Sequence, residues 1–161
     1  MSDSGETLLH SLLVPLVGRR LLLPRACVAE IISLGRFRLR EEEPGWLLGD
    51  IAWGEHVVPL LSFEAACGDP VPEISGRSRA VILRGLSGRL GRGGMAIICQ
   101  GLPQLVRLGE EVVQLDQGSL DYGEAPVLCR LRVVNETPLV PDLEKLEGWV
   151  ADLLGEPAAD L

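Results

Sequence analysis

Apolar residues in this chain gather in short runs separated by glycine, proline and charge. Runs of about four to eight apolar residues bounded by turn signals read as β-strands. The first is Leu8–Val17. A tight turn at Gly18-Arg19 is expected next, with glycine at its first central position, and Arg20–Pro24 returns. Ala26–Ile32 reads as a short segment of one or two helical turns, and Glu41–Gly45 as a loop. Leu47–Trp53 and His56–Leu61 form a hairpin around Gly54-Glu55. Ser62 has the chemistry of an N-cap for a short helix over Phe63–Cys67, which Gly68 stops.

The same vocabulary returns after a proline-containing connector, Asp69–Gly76. Arg79–Leu86 and Met95–Cys99 read as strands around a glycine-rich loop, Gly88–Gly94. Gln104–Leu108 is apolar, and Gly109–Glu124 reads as an acidic loop. Ala125–Val134 and Thr137–Val140 form the last hairpin, turning at Asn135-Glu136. Asp142 caps a helix whose Leu143, Leu146, Trp149, Val150, Leu153 and Leu154 share one face.

These halves repeat. The apolar pattern of Val28–Leu34 returns in Leu102–Leu108, and Leu21–Cys27 aligns with Met95–Gly101 at the same spacing. Pro59-Leu60-Leu61-Ser62-Phe63 is echoed by Pro138-Leu139-Val140-Pro141-Asp142-Leu143. Each half therefore reads as about five strands and one helix. Two small barrels, over residues 8–76 and 77–141 with a helix over 142–154, fit this repeat better than one sandwich, because closure removes exposed strand edges.

Composition narrows the function. At 161 residues, with 47% hydrophobic and 24% charged residues, the chain suits one globular domain. No apolar run approaches the roughly 18 residues of a membrane span. The polar start, Met1–Glu6, lacks the pattern of a secretory signal, so a cytoplasmic location is expected. The formal charge of −8 falls almost wholly on residues 110–161. An acidic chain is a poor general binder of nucleic acid.

Catalytic signatures are missing. There is no phosphate loop, no H-E-x-x-H and no G-x-S-x-G. Cys27, Cys67, Cys99 and Cys129 stand far apart in apolar surroundings, as buried small hydrophobes do, so no metal or cofactor is expected. His10 and His56 have no evident partners, and Glu110-Glu111 reads as solvated. The arginines Arg77, Arg79, Arg84, Arg89, Arg92 and Arg107 lie in a window free of acidic residues. They offer either a docking surface for an acidic protein or, as the rival reading, the face of a small β-barrel that binds nucleic acid. Trp46 and Trp53 flank a hairpin strand, and an exposed tryptophan there would be an interface anchor.

The motifs, in order, resemble those of CheW-like domains. Leu21–Ile32 is similar to the family segment in which a strand ending at proline leads into V-x-E-I, here Val28-Ala29-Glu30-Ile31. Pro44–Ile51 resembles P-x-x-h-x-G-h-h, where h is apolar, and His56–Leu61 resembles V-V-P-V-V. The resemblance runs from Leu8 to Leu154. It implies an all-β fold of two five-stranded SH3-like barrels and no enzyme activity. It also implies a cytoplasmic adaptor that couples methyl-accepting chemoreceptors to a CheA-type histidine kinase. The kinase would bind through its own CheW-like regulatory domain, and the receptor's helical hairpin tip near the groove between the barrels. Val28, Glu30 and Ile31 match the family's partner-contact positions, and Gly49 matches its structural glycine.

The chain also departs from the family pattern. The family's N-L-R-G stands here as Ala52-Trp53-Gly54-Glu55, so the receptor-coupling arginine is Gly54, and the aspartate after V-P-V-V is Ser62. These departures suit an accessory adaptor, such as a ChpC-like member of a system controlling type IV pili and twitching motility.

Overall fold

The computed structural model describes residues 8–90, 94–116 and 122–155. Eleven strands lie among them: β1 (Leu8–Pro15), β2 (Arg20–Pro24), β3 (Val28–Ser33), β4 (Leu47–Trp53), β5 (His56–Leu61), β6 (Arg79–Leu83), β7 (Met95–Cys99), β8 (Gln104–Gly109), β9 (Val113–Leu115), β10 (Val127–Val133) and β11 (Leu139–Pro141). Two α-helices follow β5 and β11: α1 (Phe63–Ala66) and α2 (Leu143–Leu154). One sheet has the order β8-β1-β2-β11-β10-β9 and the other β3-β6-β7-β5-β4. The all-β, two-barrel architecture is therefore present, with one sheet of six strands rather than five. The additional strand, β9, falls in the segment read as an acidic loop.

The expected division at residue 76 does not describe how the strands are shared. The hairpin β1–β2 is bonded into the sheet completed by β8–β11, and β6–β7 into the sheet completed by β3–β5. Each half of the chain thus gives its first hairpin to the other half's sheet. A 3₁₀ turn at Arg25–Cys27 carries the chain out of β2 and into β3, in the segment expected to be helical. It directs the chain away from its own hairpin instead of folding it back. Backbone bonds fasten both crossings: Arg84 N–H donates to the Cys27 carbonyl and Gln100 N–H to the Pro15 carbonyl, each at 2.9 Å. Strand periodicity reports the existence of a hairpin but carries no information about which sheet receives it.

The exchange sorts side chains into three cores by parity. On β1 and β2, Leu12, Val14, Leu21 and Leu23 face the other sheet, while Leu13 and Leu22 face their own barrel. On β6 and β7, Val81, Leu83, Met95 and Ile97 face across, while Ala80, Ile82, Ala96 and Ile98 face inward. These strands read as continuous apolar runs because both of their faces are buried. The core between the sheets is the largest of the three, and Phe63, Leu146 and Val150 of the two helices close it. Trp46 and Trp149 lie beside it with ring centroids 5.7 Å apart.

Both helix caps form as expected. The Ser62 hydroxyl accepts from Ala65 N–H at 3.1 Å and Asp142 from Lys145 N–H at 3.1 Å. Leu153 and Leu154, expected on the apolar face of α2, are exposed at its last turn. The first hairpin turns at Val17-Gly18, so glycine takes the second central position and not the first. The last turns at Val134-Asn135, one residue earlier than expected, between the mutually bonded Val133 and Glu136.

Leu23→Ala in the shared core is expected to cost about 2–5 kcal/mol in a denaturant titration. Amide protection in β6–β7 should fall together with that in β1–β2. Loss confined to one sheet would show that the barrels unfold separately.

Candidate partner-binding surface

The five residues singled out from the sequence do not play one role. Val28 opens β3 opposite Leu83, and its side chain is only 2% exposed in the shared core. It supports the strand and offers no contact surface. Ile31, paired with Val81, is half-buried against the same core. Glu30 is exposed. Gly49 is buried at a bulge in β4 and is structural: a Cβ there would lie 2.6 Å from the Arg38 carbonyl oxygen and 3.3 Å from the Phe37 ring.

Trp53 and Glu30 meet. The indole Nε1 donates to Glu30 Oε1 at 2.8 Å. In hydrogen-bond order, β3 and β4 are the two edges of the five-stranded sheet. This contact therefore joins the sheet's edges through side chains and helps close the barrel. The ring of Trp53 packs on the barrel interior, with the His56 ring 5.9 Å away. Trp53 is thus half-buried and part of the seam. At the opposite end of β4, Arg40 N–H donates to the Leu48 carbonyl at 2.6 Å, covering the outer side of the strand there.

Sequence reasoning missed two buried carboxylates. Glu64 on α1 and Glu147 on α2 are each only 1% exposed. Glu64 accepts from Val17 N–H at 3.0 Å, in the β1–β2 turn. Glu147 accepts from Leu86 N–H at 2.7 Å, Ser87 N–H at 3.2 Å and Ser87 Oγ at 2.9 Å, in the β6–β7 loop. Each turn is also held by an ion pair, Arg19–Asp69 at 2.9 Å and Arg89–Asp152 at 2.8 Å. The helix that follows one sheet therefore latches the hairpin tip of the other. Only a Glu within each helical pattern signals this, and no periodicity separates it from a solvated one.

The remaining candidates carry little chemistry. Burial pushes the Cys67 thiol from 9.0 up to about 11, against a smaller opposing effect of the Arg19 charge. Burial also raises Cys27, Cys99 and Cys129. Protonated thiols are poor nucleophiles and poor metal ligands. Among the described residues no group of three His, Cys, Asp or Glu is placed to hold a metal. No described helix is long and apolar enough to cross a membrane. In the arginine window, Arg79 donates to the Gly76 and Ser78 carbonyls, Arg84 to the Ala26 carbonyl, and Arg89 pairs with Asp152. These three are tied to the fold rather than aligned along a groove. Arg92 and the rest of residues 91–93 lie outside the described residues.

Comparison with known proteins agrees with this architecture. The sequence matches the CheW-like domain family over residues 10–147. The fold is similar to that of the scaffolding protein TtCheW from Thermoanaerobacter tengcongensis, with a TM-score of 0.68 and 13% identity, over 84% of this chain and 89% of that one. A search of curated proteins returns no sequence match.

Two measurements test this site. A double-mutant cycle of Glu30→Ala and Trp53→Phe should give a coupling of about 0.5–1.5 kcal/mol in urea, as for one exposed hydrogen bond. Additive effects would dismiss the seam contact. For the thiols, the unfolded chain releases protons near pH 9 while folded Cys67 holds its proton to about 11. Stability should therefore be retained below pH 9 and fall as pH rises towards 11, with slow alkylation of the native protein at pH 8. Rapid alkylation mapped to Cys67 in the native protein would contradict this half-buried, protonated thiol.

Proposed function

The chain belongs to the CheW-like domain family, and from that premise we propose that it is a non-enzymatic adaptor in bacterial chemosensory signalling. It couples chemoreceptors to a CheA-type histidine kinase. The observation that carries this reading is the family match across both sheets, residues 10–147. The absence of an organised catalytic or metal constellation among the described residues is compatible with it but does not carry it.

In this reading the kinase's regulatory domain docks along the edge strand β3, reaching Glu30 on one side of it and the outer part of Ile31 on the other. An adaptor of this kind needs surfaces rather than a pocket, and exposed strand edges supply them. Glu30 contributes charge, which favours register and specificity over raw affinity. Receptor coupling is the more altered function. The position of the family's arginine is Gly54, the first central residue of the β4–β5 turn, with φ +60°. The turn therefore presents no cation at that point. This loss suits an accessory adaptor, such as a ChpC-like member of a system controlling type IV pili, working in the cytoplasm beside membrane-bound receptor arrays.

Calorimetric titration into the regulatory domain of a CheA-type kinase from the same organism tests the reading. Saturable one-to-one binding is expected. Glu30→Arg should weaken it about ten-fold, equivalent to roughly 1.4 kcal/mol, with the melting temperature lowered only by the loss of the Trp53 bond, as Trp53→Phe alone would lower it. Ile31→Asp should weaken it too, but its half-buried side chain makes a thermal melt the necessary control. No heat of binding at about 100 μM kinase domain would overturn the kinase assignment.

A further inference from the structure

The internal repeat extends to individual pairs. Residues 47–63 and 127–143 correspond at a constant spacing, that of the caps Ser62 and Asp142. The bulge between Leu47 and Gly49 recurs between Val127 and Cys129. The pairs Gly49–Leu60 and Asp50–Pro59 recur as Cys129–Val140 and Arg130–Leu139. The closing pair Trp53–His56 recurs as Val133–Glu136. In the same way Glu30–Ile82 on β3 recurs as Gln104–Leu13 on β8, and Ile32–Ala80 as Val106–Ser11.

The positions of Trp53 and Glu30 therefore map onto Val133 and Gln104 in the other barrel, where β10 is no longer an edge and Val133 pairs with Val113 of the added strand β9. A valine cannot span what an indole spans. A groove of about 440 Å³ opens at this place, with Leu13, Val106, Leu108 and Val133 as its apolar lining and Gln104, Arg107, Asn135 and the ion pair Arg20–Glu136 as its polar lining. The barrel beneath it is sparsely filled: its core cluster holds four buried residues among those described, against eight in the other barrel. On the rim stands Val134, 75% exposed with φ +54°, a backbone that β-branched residues avoid. Its counterpart is Gly54, which adopts φ +60°. The second barrel thus lacks the aromatic filler of the first, and at the same end exposes Val134 beside the Arg20–Glu136 pair.

We infer that this groove receives a tryptophan side chain presented by a partner protein, its indole N–H donating to Gln104 as that of Trp53 donates to Glu30. The occupant is read from the first barrel, where an indole already sits between the corresponding positions. Tryptophan buried in such a pocket is a common anchor of protein interfaces. The inference goes beyond the adaptor assignment and needs neither kinase nor receptor for its test.

N-acetyl-tryptophanamide titrated into the ¹⁵N-labelled full chain should shift the amides of Gln104, Val133 and Val134 and the Gln104 side-chain amide, with saturation. N-acetyl-leucinamide should not. Gln104→Ala should weaken the tryptophan probe by about three- to ten-fold, as loss of one hydrogen bond does, and leave 1-methylindole unaffected. Val133→Trp should abolish the response and raise the melting temperature. Since that variant risks overpacking, Gln104→Ala decides alone if it misfolds. No localised shifts, equal shifts with the leucine probe, or an unchanged response in Gln104→Ala would overturn the inference. A titration that fails leaves the adaptor reading standing, and a kinase that does not bind leaves the groove standing.

Discussion

Each hairpin that opens half of the chain is bonded into the sheet that the other half completes. This exchange is the constraint on which the structure rests. Neither sheet can be finished until strands from both halves of the sequence are present. Because β1, β2, β6 and β7 sit inside their sheets, they need apolar side chains on both faces. One parity fills a barrel and the other fills the space between sheets. The largest core therefore belongs to neither barrel, and both depend on it.

The exchange also creates a problem at the hairpin tips, which protrude past the sheet that receives them. The buried carboxylates answer it. Glu64 and Glu147 take backbone N–H groups of the two turns, and the pairs Arg19–Asp69 and Arg89–Asp152 repeat the arrangement at the surface. A carboxylate withdrawn from water is costly unless hydrogen bonds replace its hydration. Here the replacement comes from N–H groups that would otherwise lack partners. The two latches use different helix positions to reach the same end, which marks them as a requirement of the exchanged architecture and not of one local sequence.

The repeats have diverged at corresponding ends of the two barrels. In the barrel built on β3–β7, Trp53 and Glu30 draw the edge strands together, and Gly54 makes the turn beside them without backbone strain. In the barrel built on β8–β11, β9 is added beside β10, Gln104 and Val133 line a groove instead of touching, and Val134 holds the turn against its own preference. One duplicated frame thus carries one closed end and one open end.

Most strands, and the turns to within a residue, were legible in the sequence because glycine, proline and charge interrupt apolar runs at lengths only strands use. Most segments, both helix caps and the repeat follow from that local chemistry, and the family motifs in Val28–Ile31, Pro44–Ile51 and His56–Leu61 lie on it. The tertiary structure decided what local chemistry cannot encode. Whether a hairpin joins its own half or the other depends on the chain's direction at Arg25–Cys27 and on a core shared by residues far apart in sequence. Burial of Val28 and exposure of Glu30, two residues away in one strand, follow from a bulge between them that no alternation predicts. The contact of Trp53 with Glu30, 23 residues apart, exists only because the sheet curves its two edges together.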